Sequence, residues 1–319
     1  MTKRLIDVHA HYVPDQYRKA LMAAGHERPD GMPGIPMWSE TGMLEMMDRN
    51  GIETAILSIS SPGIHFGDDG AARTLARTVN QEGARLMETK PRRFGIFASL
   101  PLPDIEGSLR EIDYAFDTLG ADGVVLKTNN AGLYPGDPAF APVFAELDRR
   151  SAVVFFHPTS PHCSCCSIGA RALPRPALEF MFETTRAVTD LILTGTLDRC
   201  HNLKVIVPHA GATLPVLIDR IAAFSPILPK HENITPAVVV ETLGRIYYDL
   251  AGAPVPRLLP ALQSLVDNSH ILYGSDWPFT PEPAVAGLLG QLKAFFGASG
   301  ISDDIARDNA LALFPRLAT

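Results

Sequence analysis

Ala152-Val153-Val154-Phe155-Phe156-His157-Pro158 reads as a strand that runs from an apolar interior straight into an imidazole. An apolar run with no polar alternation is what a strand covered on both faces requires, which is the habit of parallel sheets flanked by helices. Burial alone would place another Val or Ile at position 157. The histidine there marks the point where the strand leaves the core for a site.

Other short runs of similar kind lie on either side. Residues 4–8 lead directly into His9-Ala10-His11, and residues 54–59, 94–99, 123–126, 204–207, 246–249 and 270–273 follow the same habit. Between them stand longer amphipathic segments at 41–50, 71–88, 105–118, 138–149, 177–197, 213–224, 236–243 and 256–266, with 284–296 and 303–313 closing the chain. Gly51 suits the end of the first of these and Asp104 the N-cap of the third. Regular strand-then-helix order predicts the α/β class with a parallel sheet. About eight units in a chain of this length predict a closed (β/α)8 TIM barrel rather than an open sheet. The expectation is one domain over residues 1–319, with loop elaborations near 25–38 and 158–176.

In such a barrel, chemistry gathers at the C-terminal ends of the strands. His9 and His11 follow the first strand, His157 ends the fifth, His209 follows the sixth and Asp276 follows the eighth. His9 and His11 are two residues apart, so on a strand they face the same side. An isolated His-x-His pair is more often two partly buried histidines, but here the pair has company. A buried carboxylate such as Asp276 is costly without a cationic partner. Three imidazoles and a carboxylate suit a borderline divalent ion, Zn2+ first and Mn2+ second. His209 reads either as a ligand of a second ion or as a free acid/base. Lys127 ends the fourth strand, where it would serve a substrate carboxylate or a second metal. Trp38, Trp277 and Phe279 are candidate walls for an aromatic pocket. His162-Cys163-Ser164-Cys165-Cys166 lacks the paired spacing of a structural zinc site and is taken as a loop near the active site.

Asp7-Val8-His9-Ala10-His11, Val154-Phe155-Phe156-His157-Pro158, His209-Ala210-Gly211 and Tyr273-Gly274-Ser275-Asp276-Trp277-Pro278 together resemble the amidohydrolase superfamily. The likeness is to its branch of aminocarboxymuconate-semialdehyde, γ-resorcylate and 6-methylsalicylate decarboxylases, and it runs nearly the length of the chain. Residues 94–101 and 183–196 are similar to the 6-methylsalicylate type. The resemblance implies that His9, His11, His157 and Asp276 hold one metal ion. It implies that His209 is a catalytic acid/base rather than a ligand, and that Arg220 reaches the substrate carboxylate, often in a neighbouring subunit. A homodimer or higher homo-oligomer follows from that last role. Keeping His9, where some members have Glu, resembles the zinc-using members. Lys127 departs from the branch, since a lysine at that strand end belongs to the binuclear amidohydrolases.

The expected function is therefore non-oxidative decarboxylation of a small aromatic or muconate-type carboxylic acid, with His209 and Asp276 catalytic and Arg220 and Lys127 binding the substrate. A metal-dependent hydrolase of a lactone, an amide or a C–C bond is the alternative on the same barrel. A metal-binding barrel without catalysis is a third reading. A formal net charge of −7 and the lack of a basic run argue against a nucleic-acid partner. No apolar stretch is long enough for a membrane span. Four cysteines among 319 residues do not make a disulfide scaffold. These features lead to the expectation of a cytoplasmic protein with reduced thiols.

Overall fold

A computed structural model describes residues 4–163, 173–297 and 300–318. Eight parallel strands occur in sequence order in one sheet: β1 Leu5–His11, β2 Ile52–Ser58, β3 Phe94–Ser99, β4 Gly123–Lys127, β5 Val153–His157, β6 Lys204–Val207, β7 Tyr247–Asp249 and β8 Ile271–Leu272. The last meets the first where Val8 N donates to Tyr273 O at 3.0 Å. This is the (β/α)8 barrel the alternation predicts.

Two sets of buried side chains follow from the two faces of the strands. Inside the barrel pack Ile6, Val8, Ile56, Phe97, Val125, Val153, Phe155, Ile206 and Leu272. Ala310 and Phe314, from the C-terminal segment, belong to this same interior cluster. Outside, Val124, Leu126, Val154 and Phe156 join the much larger core beneath the helices. The alternation along β5 is decisive: Val153 and Phe155 point inward, and the next inward position is His157. On β4 the same step from Val125 leads to Lys127, which pairs with His157 in register.

The helices are α1 Asp15–Ala23, α2 Glu40–Asn50, α3 Asp69–Thr89, α4 Ile105–Asp117, α5 Ala141–Arg149, α6 Glu179–Leu193, α7 Thr196–Arg199, α8 Leu214–Phe224, α9 Pro236–Gly244, α10 Leu258–Gln263, α11 Glu282–Phe295 and α12 Asn309–Leu313. Gly51 ends α2 in the left-handed conformation (φ 73°), and Asp104 caps α4 by accepting from Gly107 N at 3.0 Å. Sequence periodicity passes over α1, a short helix that buries Tyr17 and Leu21 one turn apart. The single helix expected over 177–197 breaks at Gly195 (φ 70°) into α6 and α7. Among the described residues no helix is long and apolar enough to cross a membrane. Cys200 is a buried free thiol. Cys163 is disulfide-bonded, against the expectation of reduced thiols. Cys165 and Cys166 lie outside the described residues.

Candidate metal centre and active-site cavity

β1 changes face just before its histidines. Ile6 and Val8 point into the barrel, so simple alternation would turn His9 and His11 outward. The pairing of β1 with β2 shifts register between Asp7 and Ala10, and that extra residue brings both imidazoles to the barrel mouth. Asp7 braces the shift, its Oδ1 accepting from His9 N and from Ser275 N, both at 3.0 Å. Burial pushes the Asp7 carboxyl up to about 7 despite these bonds.

The loop after β8 is anchored to the same place. Asp276 N donates to His9 O at 2.7 Å, and His11 N donates to Trp277 O at 2.8 Å. Asp276 adopts a left-handed backbone (φ 59°), a conformation uncommon for a residue with a side chain and a frequent mark of functional sites. Thr280 Oγ1 donates to Asp276 Oδ2 at 3.0 Å, which leaves Oδ1 for the histidines.

Each of three imidazoles has its Nδ1 beside an acceptor. His9 Nδ1 meets Asp249 Oδ2 at 2.9 Å, His11 Nδ1 meets Ser58 O at 3.2 Å and Ser58 Oγ at 3.0 Å, and His157 Nδ1 meets Pro158 O at 2.8 Å. With the proton held on Nδ1, the lone pair sits on Nε2 in all three. Those nitrogens converge. Asp276 Oδ1 is 3.5 Å from His9 Nε2 and 3.2 Å from His11 Nε2. Donor atoms from His9, His11, His157 and Asp276 all lie within 4.8 Å of one another. His9 Nε2 is buried and makes no hydrogen bond.

The electrostatics favour a cation at that point. Burial opposes protonation of His9, yet Asp249 and Asp276 together raise it to about 10. Burial lowers His11 to about 4 and holds His157 well below its ordinary range. Burial also works against a charged Asp276, but the hydrogen bond from His11 and the nearby His9 ring hold it well below the usual carboxylate range. The site thus favours positive charge, carried by a protonated His9 or, with that proton displaced, by a divalent metal ion that one anionic oxygen and three imidazole nitrogens would hold.

His209 stands beside this cluster, its ring centroid 5.1 Å from that of His9. Its backbone is left-handed (φ 56°), and its N donates to Asp249 Oδ1 at 3.2 Å. Burial and the neighbouring His9 lower its basicity. Asp249 thus serves two histidines. Sequence reading left it out, although it ends the seventh strand and the rim rule that found Asp276 applies equally to it.

A cavity of about 460 Å³ opens over the cluster. His157, His209 and Asp276 form its polar end, and Phe180, Met181 and Phe279 are among its apolar walls. Trp277 and Trp38 pack into the surrounding core instead. Lys127 faces an adjacent cavity of about 280 Å³, its Nζ donating to Ile59 O at 2.6 Å. Burial pushes its ammonium down to about 7. Arg220 lies on the exposed side of α8, its guanidinium 4.8 Å from the Phe224 ring centroid, outside the cavity.

A family model described as amidohydrolase matches residues 6–316. The chain belongs to the amidohydrolase family. It is 39% identical over 321 residues to the 6-methylsalicylic acid decarboxylase of Aspergillus aculeatus, with 98% of this chain and 96% of that protein covered. A crystal structure of an amidohydrolase II superposes with a TM-score of 0.90 at 36% identity, covering 98% and 99% of the two chains. A dihydroxybenzoic acid decarboxylase of a Polaromonas species, solved with manganese and the inhibitor 2-nitroresorcinol, shares the fold at a TM-score of 0.82. Its identity is 24%, with 98% and 97% covered.

Proposed function

We propose that this amidohydrolase is a divalent-metal-dependent, non-oxidative decarboxylase of a small aromatic carboxylic acid, with a salicylate-like substrate favoured. The observation that carries the metal dependence is the convergence of three Nε2 lone pairs and Asp276 Oδ1 at the floor of an apolar cavity. The decarboxylase reading is supported by the named activity of the Aspergillus aculeatus relative. His9, His11, His157 and Asp276 would hold the ion. Zn2+ is first choice for a donor set rich in imidazole, and Mn2+ is second. When bound, the ion supplies a Lewis-acid centre that gathers the substrate's anionic oxygens.

The chain's own residues do the rest. Phe180, Met181 and Phe279 offer walls for a flat ring and keep water from it. Asp276, ionised in the free site, would accept a proton relayed from solvent through His209 and pass it to the ring carbon that bears the carboxylate. The bond to the carboxyl carbon then breaks. Its electron pair returns to the ring, aromaticity is restored, and CO2 leaves. Burial and the neighbouring His9 lower the basicity of His209, so a proton that it takes up is readily passed on.

Arg220 belongs to this proposal only through a second subunit, because it lies outside the cavity of its own chain. A homodimer that delivers it to the neighbouring cavity is part of the reading, and Lys127 belongs to it only as a candidate for a substrate carboxylate that reaches the adjacent cavity. The test is to incubate metal-loaded protein with 2-hydroxybenzoates and with lactones, following CO2 and carboxylic acid release. CO2 from the hydroxybenzoates is expected. Acid release from lactones with no CO2 would replace the decarboxylase by the hydrolase.

A further inference from the structure

One charged side chain in the cavity has no part in the chemistry above. Asp30 comes from the loop after α1, at the short helical turn Pro29–Gly31, and lines the cavity together with Pro29 and Met32. Its backbone is left-handed (φ 56°), which Asp tolerates better than most residues. Ser160 Oγ, three residues beyond His157, donates to Asp30 Oδ1 at 2.5 Å. Each carboxylate oxygen has two lone pairs, so this one bond leaves Asp30 with acceptor capacity toward the cavity. The lining contributed by the described residues of this chain contains no Lys or Arg, and its acidic members are Asp30 and Asp276.

That distribution selects among substrates. The polar floor offers one place for a carboxylate. Among the described residues the rest of the wall is apolar apart from a few groups, its charge away from the floor is the negative one of Asp30, and Lys127, which feels that charge, faces the adjacent cavity instead. We propose that Asp30 is a specificity-determining residue, which admits aromatic monocarboxylic acids carrying a hydroxyl or amino donor within its reach and rejects those carrying a second carboxylate. The donor would share Asp30 with Ser160, whereas a second carboxylate would meet like charge against a mostly apolar wall. This deepens the proposed function, on which it rests for the position of the first carboxylate.

The test compares wild type with Asp30→Asn, which keeps an acceptor for Ser160 but removes the charge, and with Asp30→Ala. The probes are 2,6-dihydroxybenzoate, 2-hydroxy-6-methylbenzoate and 2-hydroxyisophthalate. Binding to the metal-loaded protein is measured by calorimetry, and kcat/KM is measured by CO2 release. Hydrogen bonds to charged groups typically carry about 10- to 100-fold in affinity. Asp30→Asn should therefore lower the preference for the dihydroxy over the methyl acid by about tenfold or more, and raise relative binding of the dicarboxylate by a similar factor. A uniform loss across all three probes would show that Asp30 only pins its loop, and would overturn the proposal. So would unchanged ratios. Calorimetry reads these ratios even if no probe releases CO2, an outcome that would count against the decarboxylase and not against the role of Asp30.

Discussion

Replacing Asp249 by alanine should cost this protein both metal affinity and stability. The carboxylate is buried and accepts three bonds, from His9 Nδ1 at 2.9 Å, Ala251 N at 2.9 Å and His209 N at 3.2 Å. Burial disfavours its charge, yet His9 above all holds it below the usual carboxylate range. Removing it frees His9 to rotate or to move its proton to Nε2, where the lone pair is needed. Losing the partner that orients a ligating histidine typically costs about 10- to 100-fold in metal affinity. Two backbone N–H groups are also stranded, at about 1–3 kcal/mol each. The expected destabilisation is on the order of 2–6 kcal/mol, a sum over neighbouring groups that need not add strictly. Asp249→Asn retains an acceptor without the charge and should fall between the variant and wild type on both counts. Metal affinity is read by competition with a chromophoric chelator, and stability from urea midpoints of the metal-free proteins. A folded Asp249→Ala protein that binds metal as tightly as wild type would refute the idea that Asp249 sets the His9 tautomer.

His209→Asn should retain metal at wild-type affinity while kcat falls about 10²- to 10⁴-fold, the usual range for a lost acid/base group; metal loss would place His209 among the ligands instead. Phe314→Ala empties a packed position within the barrel's interior cluster and should destabilise by about 3–5 kcal/mol in urea unfolding. Glu146 is held down to about 2 by Arg149 and Arg150, against an ordinary value of 4.5. Its contribution to stability is complete above pH 4.5 and is lost as pH falls toward 2, so Glu146→Gln should flatten that part of the profile of urea midpoint against pH.

The barrel was legible because its strands are continuous apolar runs, and the site because polar residues interrupt those runs at their C-terminal ends. His157 needed no more than parity along β5. His9 and His11 were found for a reason that is only half right. Two-residue spacing does place them on one face, but Ile6 and Val8 show that it would be the wrong face without the register shift beside Asp7. A shift of that kind depends on pairing with β2, which no local pattern reveals. Asp249 was visible at the end of a strand but carried no metal-motif spacing to single it out. Asp30 was hidden for a different reason. It lies in a loop whose path over the cavity is set by contacts with Ser160, distant in sequence. Helix α1 escaped notice because nine residues burying only Tyr17 and Leu21 give too little periodicity to read.

Metal content per chain, measured by elemental analysis after exhaustive dialysis, tests the account at its centre. Wild type should keep one divalent ion per chain, and His9→Ala, His11→Ala, His157→Ala and Asp276→Ala should each retain far less while remaining folded. Protein that holds no ion, or variants that hold as much as wild type, would contradict it.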